Sequence, residues 1–391
     1  MSQVLLLSMR EASNLVAYSH LYEFEDVVAD VLDADIVKLT HHDELDGYRK
    51  VYKATKTATG SRRIASCVTH QSINKSLKQP LDQDYDLLIS PFNTPYELFM
   101  LLSLGNWRSK AKKAVCYIIE FWQHDIPKCN HLLDHLQDFD HIFLGTRQCV
   151  DTIAEITGKP CSYLPLSVDA LRFCPEPSAP QPILSYCNLG RRSLETHQGL
   201  MSLAENTNSF YYYDTIGTPN VTNASKQITF HVKNFREHRF LLANILRRSR
   251  YFIANRARAN ERKLEKGKDE LSSRFFEGAA AGTVMLGEPP DSQDFRDGFD
   301  WVDAVIEIPF DCPDIAKIVS DLENQPERLA RIRQANITNS LLRHDSVYRL
   351  KTILRQAGYE STAKIHSREA HLKQLAQTHL ESQPPVEVAL T

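Results

Sequence analysis

The stretch LSSRFFEGAAAGTVMLG, residues 271–287, reads as a loop, a short helix, a glycine stop and a buried strand. Ser272 and Ser273 are good N-cap residues, because a side-chain oxygen there accepts from an orphan amide of the first turn. Phe275, Phe276, Ala279, Ala280 and Ala281 can face a core, and Gly282 is a natural C-terminal cap. From Thr283 a short apolar run suits a parallel strand covered on both faces. One acid, Glu277, sits inside this apolar, small-residue helix. Such an acid needs a partner, either a protein donor or a ligand hydroxyl.

The same alternation extends on both sides. Towards the N-terminus, strands are expected at 4–8, 35–39, 86–90, 114–120, 141–145 and 161–164, with a further strand at 64–68 inside a polar stretch, 40–80. Helical spacing falls between them at 11–32, 95–107, 128–137 and 147–157. Four prolines within 173–182 end this series and mark a linker. A second series has strands at 183–187, 210–213, 228–232, 251–254, 283–286 and 305–308. Helices are expected at 195–205, 236–248, 312–324, 326–342 and 346–356. Alternation at this spacing predicts α/β domains, each a parallel sheet with helices on both faces. The domains are expected at 1–174 and 183–345, followed by a helical extension, 346–378, and a disordered tail, 379–391.

Composition narrows the function. The net charge of −3 argues against a dedicated nucleic-acid binder, since no basic excess exists to neutralise phosphates. Eight cysteines lie mostly in apolar runs without metal-binding spacing, which favours reduced core thiols and a cytoplasmic protein. The N-terminus has no basic region or cleavage site of a signal peptide. No apolar run approaches the ~20 residues of a membrane span.

Ligands of open parallel sheets bind outside the carboxyl ends of the strands. By that rule the acids Asp33, Asp35, Asp82, Asp84, Asp86, Asp138 and Asp140, at strand entries, lie at the wrong edge, and no metal site is expected. The correct edge carries three groups. The loop 188–193, Asn-Leu-Gly-Arg-Arg-Ser, can hold an anion such as a diphosphate with its amides and with Arg191 and Arg192. Arg256 opens a basic loop, 256–268, and stands nearest a strand end; Asp269 follows that loop, eight positions before Glu277. His124, in the exit loop of the 114–120 strand, can act as a base or donate to a sugar hydroxyl.

At residues 273–286 the sequence resembles the donor-site signature of GT-B glycosyltransferases, especially the family-4-like and spore-maturation-type groups. The segment 164–175 (Leu-Pro-Leu-Ser-Val-Asp, then Phe and Pro), the Leu-Gly-Arg-Arg loop and the Gln325-Pro-Glu-Arg helix start are similar to that family as well. The resemblance implies two Rossmann-like doubly wound domains facing a cleft, with the C-terminal helix crossing back to the first domain. It implies a hexosyltransferase-type enzyme moving a sugar from a nucleoside diphosphate sugar, without a cofactor or metal and with retention. In that frame Glu277 binds the ribose, Asp269 is the first acid of the family's pair, and Gly190, Arg191, Arg192, Ser273, Arg274 and Phe275 line the donor. Arg256 shares the phosphate contact and His231 packs the base, while His124 serves catalysis. Thr196 and His197 stand where the family carries a lysine. The acceptor stays open between a glycan, a lipid-linked glycan and a protein, as does peripheral membrane contact. Two alternatives remain: a catalytically degenerate GT-B binding protein, and a nucleotide-sugar epimerase on the same scaffold.

Overall fold

The computed structural model describes residues 3–11, 18–39, 43–72, 80–178, 182–214, 235–261 and 269–382. The chain divides into two compact units. The first is Met1–Pro165 with Arg349–His366, and the second is Leu166–Tyr348 with Ser367–Thr391. The division falls ahead of the proline-rich stretch, and the chain crosses between the units three times.

The first unit is built on a six-stranded parallel sheet in the order β2-β1-β3-β4-β5-β6. Its strands are β1 (Val4–Ser8), β2 (Asp35–Lys38), β3 (Tyr85–Phe92), β4 (Ala111–Ile118), β5 (His141–Leu144) and β6 (Cys161–Tyr163). β1 and β5 are buried at every position, as the unbroken apolar runs require of strands covered on both faces. The C-terminal helix expected to cross back does so through residues 349–366. Tyr359 donates to the Asp86 carbonyl (2.8 Å), Thr362 to the Val31 carbonyl (2.8 Å), and Arg349 Nε to the Pro165 carbonyl (3.1 Å).

Three expectations for this unit need correction. Residues 64–68 are not a strand; they lie in the helix Arg62–Ser72, which follows the helix Asp43–Thr59. Ala65 and Thr69 are buried while Ile64 and Val68 are exposed, the four-residue spacing of a helix face. The helix at 95–107 is a 3-10 helix, Pro95–Ser103, whose run Leu98 to Leu102 is buried on every side. The helix at 128–137 splits into Ile126–Cys129 and a 3-10 turn, Leu133–Asp138.

The second unit carries a five-stranded parallel sheet, β11-β10-β9-β7-β8. Its strands are β7 (Leu184–Asn188), β8 (Tyr211–Tyr213), β9 (Ser249–Ile253), β10 (Val284–Gly287) and β11 (Ile306–Glu307). The strand expected at 228–232 lies outside the described residues. The opening stretch folds as its pattern dictates. Ser272 caps the helix Ser273–Ala280, and Gly282, at φ +67°, turns the chain into β10. Phe275 and Phe276 pack on Phe299, with Phe295 beside Phe275 and His344 beside Phe276.

A buried acid fastens this unit's chain ends. Asp345, fully buried, accepts from the Ala170 and Val347 amides (2.9 and 3.0 Å) and from Arg368 through Nε and Nη2 (2.8 and 2.7 Å). Arg368 Nη2 also reaches Asp169 at 2.7 Å. Val168 and Asp345 pair as a parallel bridge. All eight cysteines are free. Among the described residues no helix is long and apolar enough to cross a membrane.

Candidate functional site

Glu277 has its partners inside the protein. It lies one turn after Arg274 on the same helix face, and Arg274 Nη1 donates to its Oε2 at 2.8 Å. From the helix Phe235–Arg247, Arg239 Nη1 donates to Oε1 at 2.5 Å. The Arg239 and Glu277 side chains are 1% and 2% exposed, and the Arg239 guanidinium lies 4.7 Å from the Phe173 ring centroid. Two guanidinium groups therefore flank one buried carboxylate. The neighbouring His238 does not add a charge near neutrality, because burial, then Arg239 and Arg274, push its imidazole down to about 4.

Arg274 also reaches the loop after β7. Gly190 has φ +84°, and a Cβ placed on it would lie 3.5 Å from Arg274 Nη2. The glycine thus gives the turn its left-handed backbone, with the Arg274 guanidinium in van der Waals reach of it. The Gly190 amide donates to Asp214 Oδ1 at 2.9 Å, and Arg192 Nη1 donates to the same oxygen at 2.8 Å with its guanidinium over Tyr213. Arg191 takes a different course: it lies 3.4 Å from Glu261 and is 45% exposed. Ser193 then caps the helix Leu194–Thr207 and donates to Asp311 at 2.6 Å. At the carboxyl end of β7 the chain thus gathers Arg191, Arg274 and a capped helix start, a chemistry suited to an anion.

A second ionic group ties the exits of β9 and β10. Arg256 is 4% exposed, its Nε donates to Glu288 Oε1 at 3.0 Å, and its Nη1 lies 3.1 Å from Asp269 Oδ1. Glu288 in turn accepts from the Phe310 amide (3.0 Å), and its own amide donates to Asn255 (2.8 Å).

With this geometry in hand, comparisons place the architecture. Residues 225–355 match a family model described as glycosyl transferase-like. HepE from Anabaena, solved in complex with UDP-glucose, is similar to this chain at a TM-score of 0.50 and 10% identity, covering 91% of this chain and 99% of that one. An α,α-trehalose-phosphate synthase (UDP-forming) from Burkholderia vietnamiensis is similar at a TM-score of 0.50 and 11% identity, covering 96% and 98%. The fold is GT-B. No curated protein matches the sequence.

Within the GT-B frame, the second unit brings Gly190, Arg274 and Glu277 together. Arg192 is joined to Asp214, and Arg256 is committed to Asp269 and Glu288 rather than pointing outward from its strand. Phe275 was expected to line the donor; instead its ring is fully buried against Phe295 and Phe299, because the helix turns that face to the core. Ser273 is half-buried in the first turn, and the cap itself is Ser272, which accepts from the Arg274 amide at 3.3 Å. His231 lies outside the described residues. His124 belongs to the first unit, where its ring stacks near Trp122 and its Nε2 is 3.7 Å from Asp125.

Sequence reasoning missed Arg239, Asp214 and Glu288. For Arg239 a signal existed. Arg239, Leu242, Ala243 and Leu246 share the buried face of their helix, and a cation at that spacing on an apolar face calls for a buried acid.

Proposed function

We propose that this protein is a glycosyltransferase that moves a sugar from a nucleoside diphosphate sugar to an acceptor. The observation that carries this reading is the Arg274 guanidinium, set between the Gly190 turn and Glu277 in a stretch matched by a glycosyl transferase-like family model. The diphosphate is held by Arg274 and Arg191 at the β7 exit. As the sugar bond breaks, negative charge grows on the leaving phosphate, and fixed guanidinium groups stabilise it without reorganising. Glu277 serves the ribose hydroxyls, since a carboxylate offers about four acceptor positions and can serve arginines and a diol together. Asp269, oriented by Arg256, is the first acid of the pair and goes with retention at the anomeric carbon. His124 is the proposed contact to the acceptor hydroxyl.

A thermal-shift screen across UDP, GDP, ADP and their hexose sugars tests the donor class, because a ligand of the folded state raises the midpoint by mass action. A midpoint raised by one nucleotide, with slow release of the nucleoside diphosphate from its sugar, supports the transferase. No shift with any of them overturns it. Arg274→Ala is expected to weaken the bound nucleotide by roughly ten- to a hundredfold, the worth of a charge-assisted phosphate contact.

A second reading, binding without turnover, draws on the fact that Asp269 and Glu277 are both engaged by arginines. It predicts a nucleotide-dependent shift with no nucleotide release. Conversion of the sugar without release would instead point to an epimerase.

A further inference from the structure

We infer that Arg239 is a positioning residue: it holds Glu277 as an ionised carboxylate and, through it, fixes the Arg274 guanidinium at the Gly190 turn. The inference rests on the donor-site reading, and its basis is geometric. Glu277 is 2% exposed, so its charge depends on fixed partners rather than on water. Its two oxygens are divided between two arginines of unequal kind. Arg274 is 28% exposed and close to Gly190, at the side where an anion is proposed, whereas Arg239 is 1% exposed. The Phe173 ring, 4.7 Å from the Arg239 guanidinium, restrains it further. Arg239 therefore has the position of an internal counter-ion, and Arg274 that of the group presented to a ligand.

Charge accounting points the same way. Arg239, Arg274 and Glu277 together carry one net positive charge, which a bound diphosphate would offset. The elements packed against the helix Ser273–Ala280 bring other ionisable groups. The helix Phe235–Arg247 brings His238, neutral near pH 7. The short helix Ala170–Phe173 brings Arg172, which is 3.4 Å from Asp169 and lies over Phe240. At the end of the helix Pro326–Arg343 stand Arg343, paired with Asp300, and His344, stacked on Phe299. β10 has no ionisable side chain, and Arg250 of β9 is paired with Glu323 at 2.9 Å.

The test uses Arg239→Met and Arg239→Lys in the full chain, with whichever of UDP, GDP and ADP binds the wild type. Without Arg239, burial favours the protonated form of Glu277, which weakens its hold on Arg274. Arg239→Met is therefore expected to weaken nucleotide binding by about tenfold or more at pH 6.5 and to recover most of that loss by pH 8.5. The wild type stays flat over the same range. Arg239→Lys, which keeps the charge, lies between the two. A loss equal at all pH values, or no loss, overturns the inference.

If the wild type binds none of the three nucleotides, the donor reading fails, and thermal unfolding decides on Arg239 by itself. A carboxylate whose folded pKa is raised loses stability as pH rises through that value. The midpoint gap between wild type and Arg239→Met should then widen from pH 5 to pH 8, and Glu277→Gln in the same chain should close it. A gap that does not change with pH overturns the inference. Should Arg239→Met not fold, Arg239→Lys is read in both experiments.

Discussion

Glu277 shows how much one side chain can reveal and conceal. An acid among alanines announces that it needs a partner, and that much was legible. The partner was not, because Arg239 lies 38 positions upstream and nothing local ties the two. Removing the acid by Glu277→Ala leaves Arg239 buried without it, and should cost about 3–5 kcal/mol in urea unfolding. Glu97, in the first unit, offers a pH test. Burial pushes its carboxyl up to about 7, although it accepts from the Asn93 amide at 2.7 Å. Its folded pKa thus lies above the unfolded 4.5, so its contribution is complete below about pH 4.5 and is lost as pH rises to about 7. Glu25 is pushed up to about 7 as well, chiefly by burial, and adds to the same slope. Glu97→Gln should flatten part of the fall in melting temperature between pH 5 and pH 7. An unchanged slope would mean that Glu97 does not titrate there.

At the scale of elements, the buried strands were the easiest to recognise. Val4 to Leu7 and Val284 to Leu286 are apolar without a break, and a parallel strand covered on both faces needs no other signal. The helices of 43–72 were obscured because their described residues bury few side chains, Tyr52, Ala65 and Thr69 among them, while the apolar Val51, Ile64 and Val68 face outward. The Ser273–Ala280 helix was legible down to its cap because Ser, Phe, Ala and Gly each fall where that geometry wants them. Its closeness to the sheet gives a further prediction. A Cβ on Gly278 would lie 2.7 Å from Met285 Sδ and 2.8 Å from Phe252. Gly278→Ala should therefore cost about 1–3 kcal/mol by overpacking. The same change should also weaken nucleotide binding, since the helix would shift with Arg274 and Glu277 upon it. Calorimetry alongside denaturant unfolding reads both.

For the whole molecule, the βα alternation fixed the class of each unit, whereas the threading of the chain was visible only in part. A crossing helix was expected; that the chain then returns to the second unit, through the residues after His366, was not. Arg368 lies just beyond that return and serves Asp169 and Asp345 together. Arg368→Met should lower stability by roughly 3–5 kcal/mol, seen as an earlier thermal midpoint of the full chain.

The threading also bears on the order in which the protein is made. A ribosome releases the chain from its N-terminus, and domains ordinarily complete themselves in that order. Here residues 349–366 belong to the first unit. That unit cannot close until almost all of the second has emerged. A nascent chain halted at Pro165 therefore presents β3 and the helix Ser19–Leu32 without the tyrosine and threonine that later bind Asp86 and Val31. The half of the protein born first thus waits for residue 366, and only the segment from Ser367 onward, which completes the second unit, is made later.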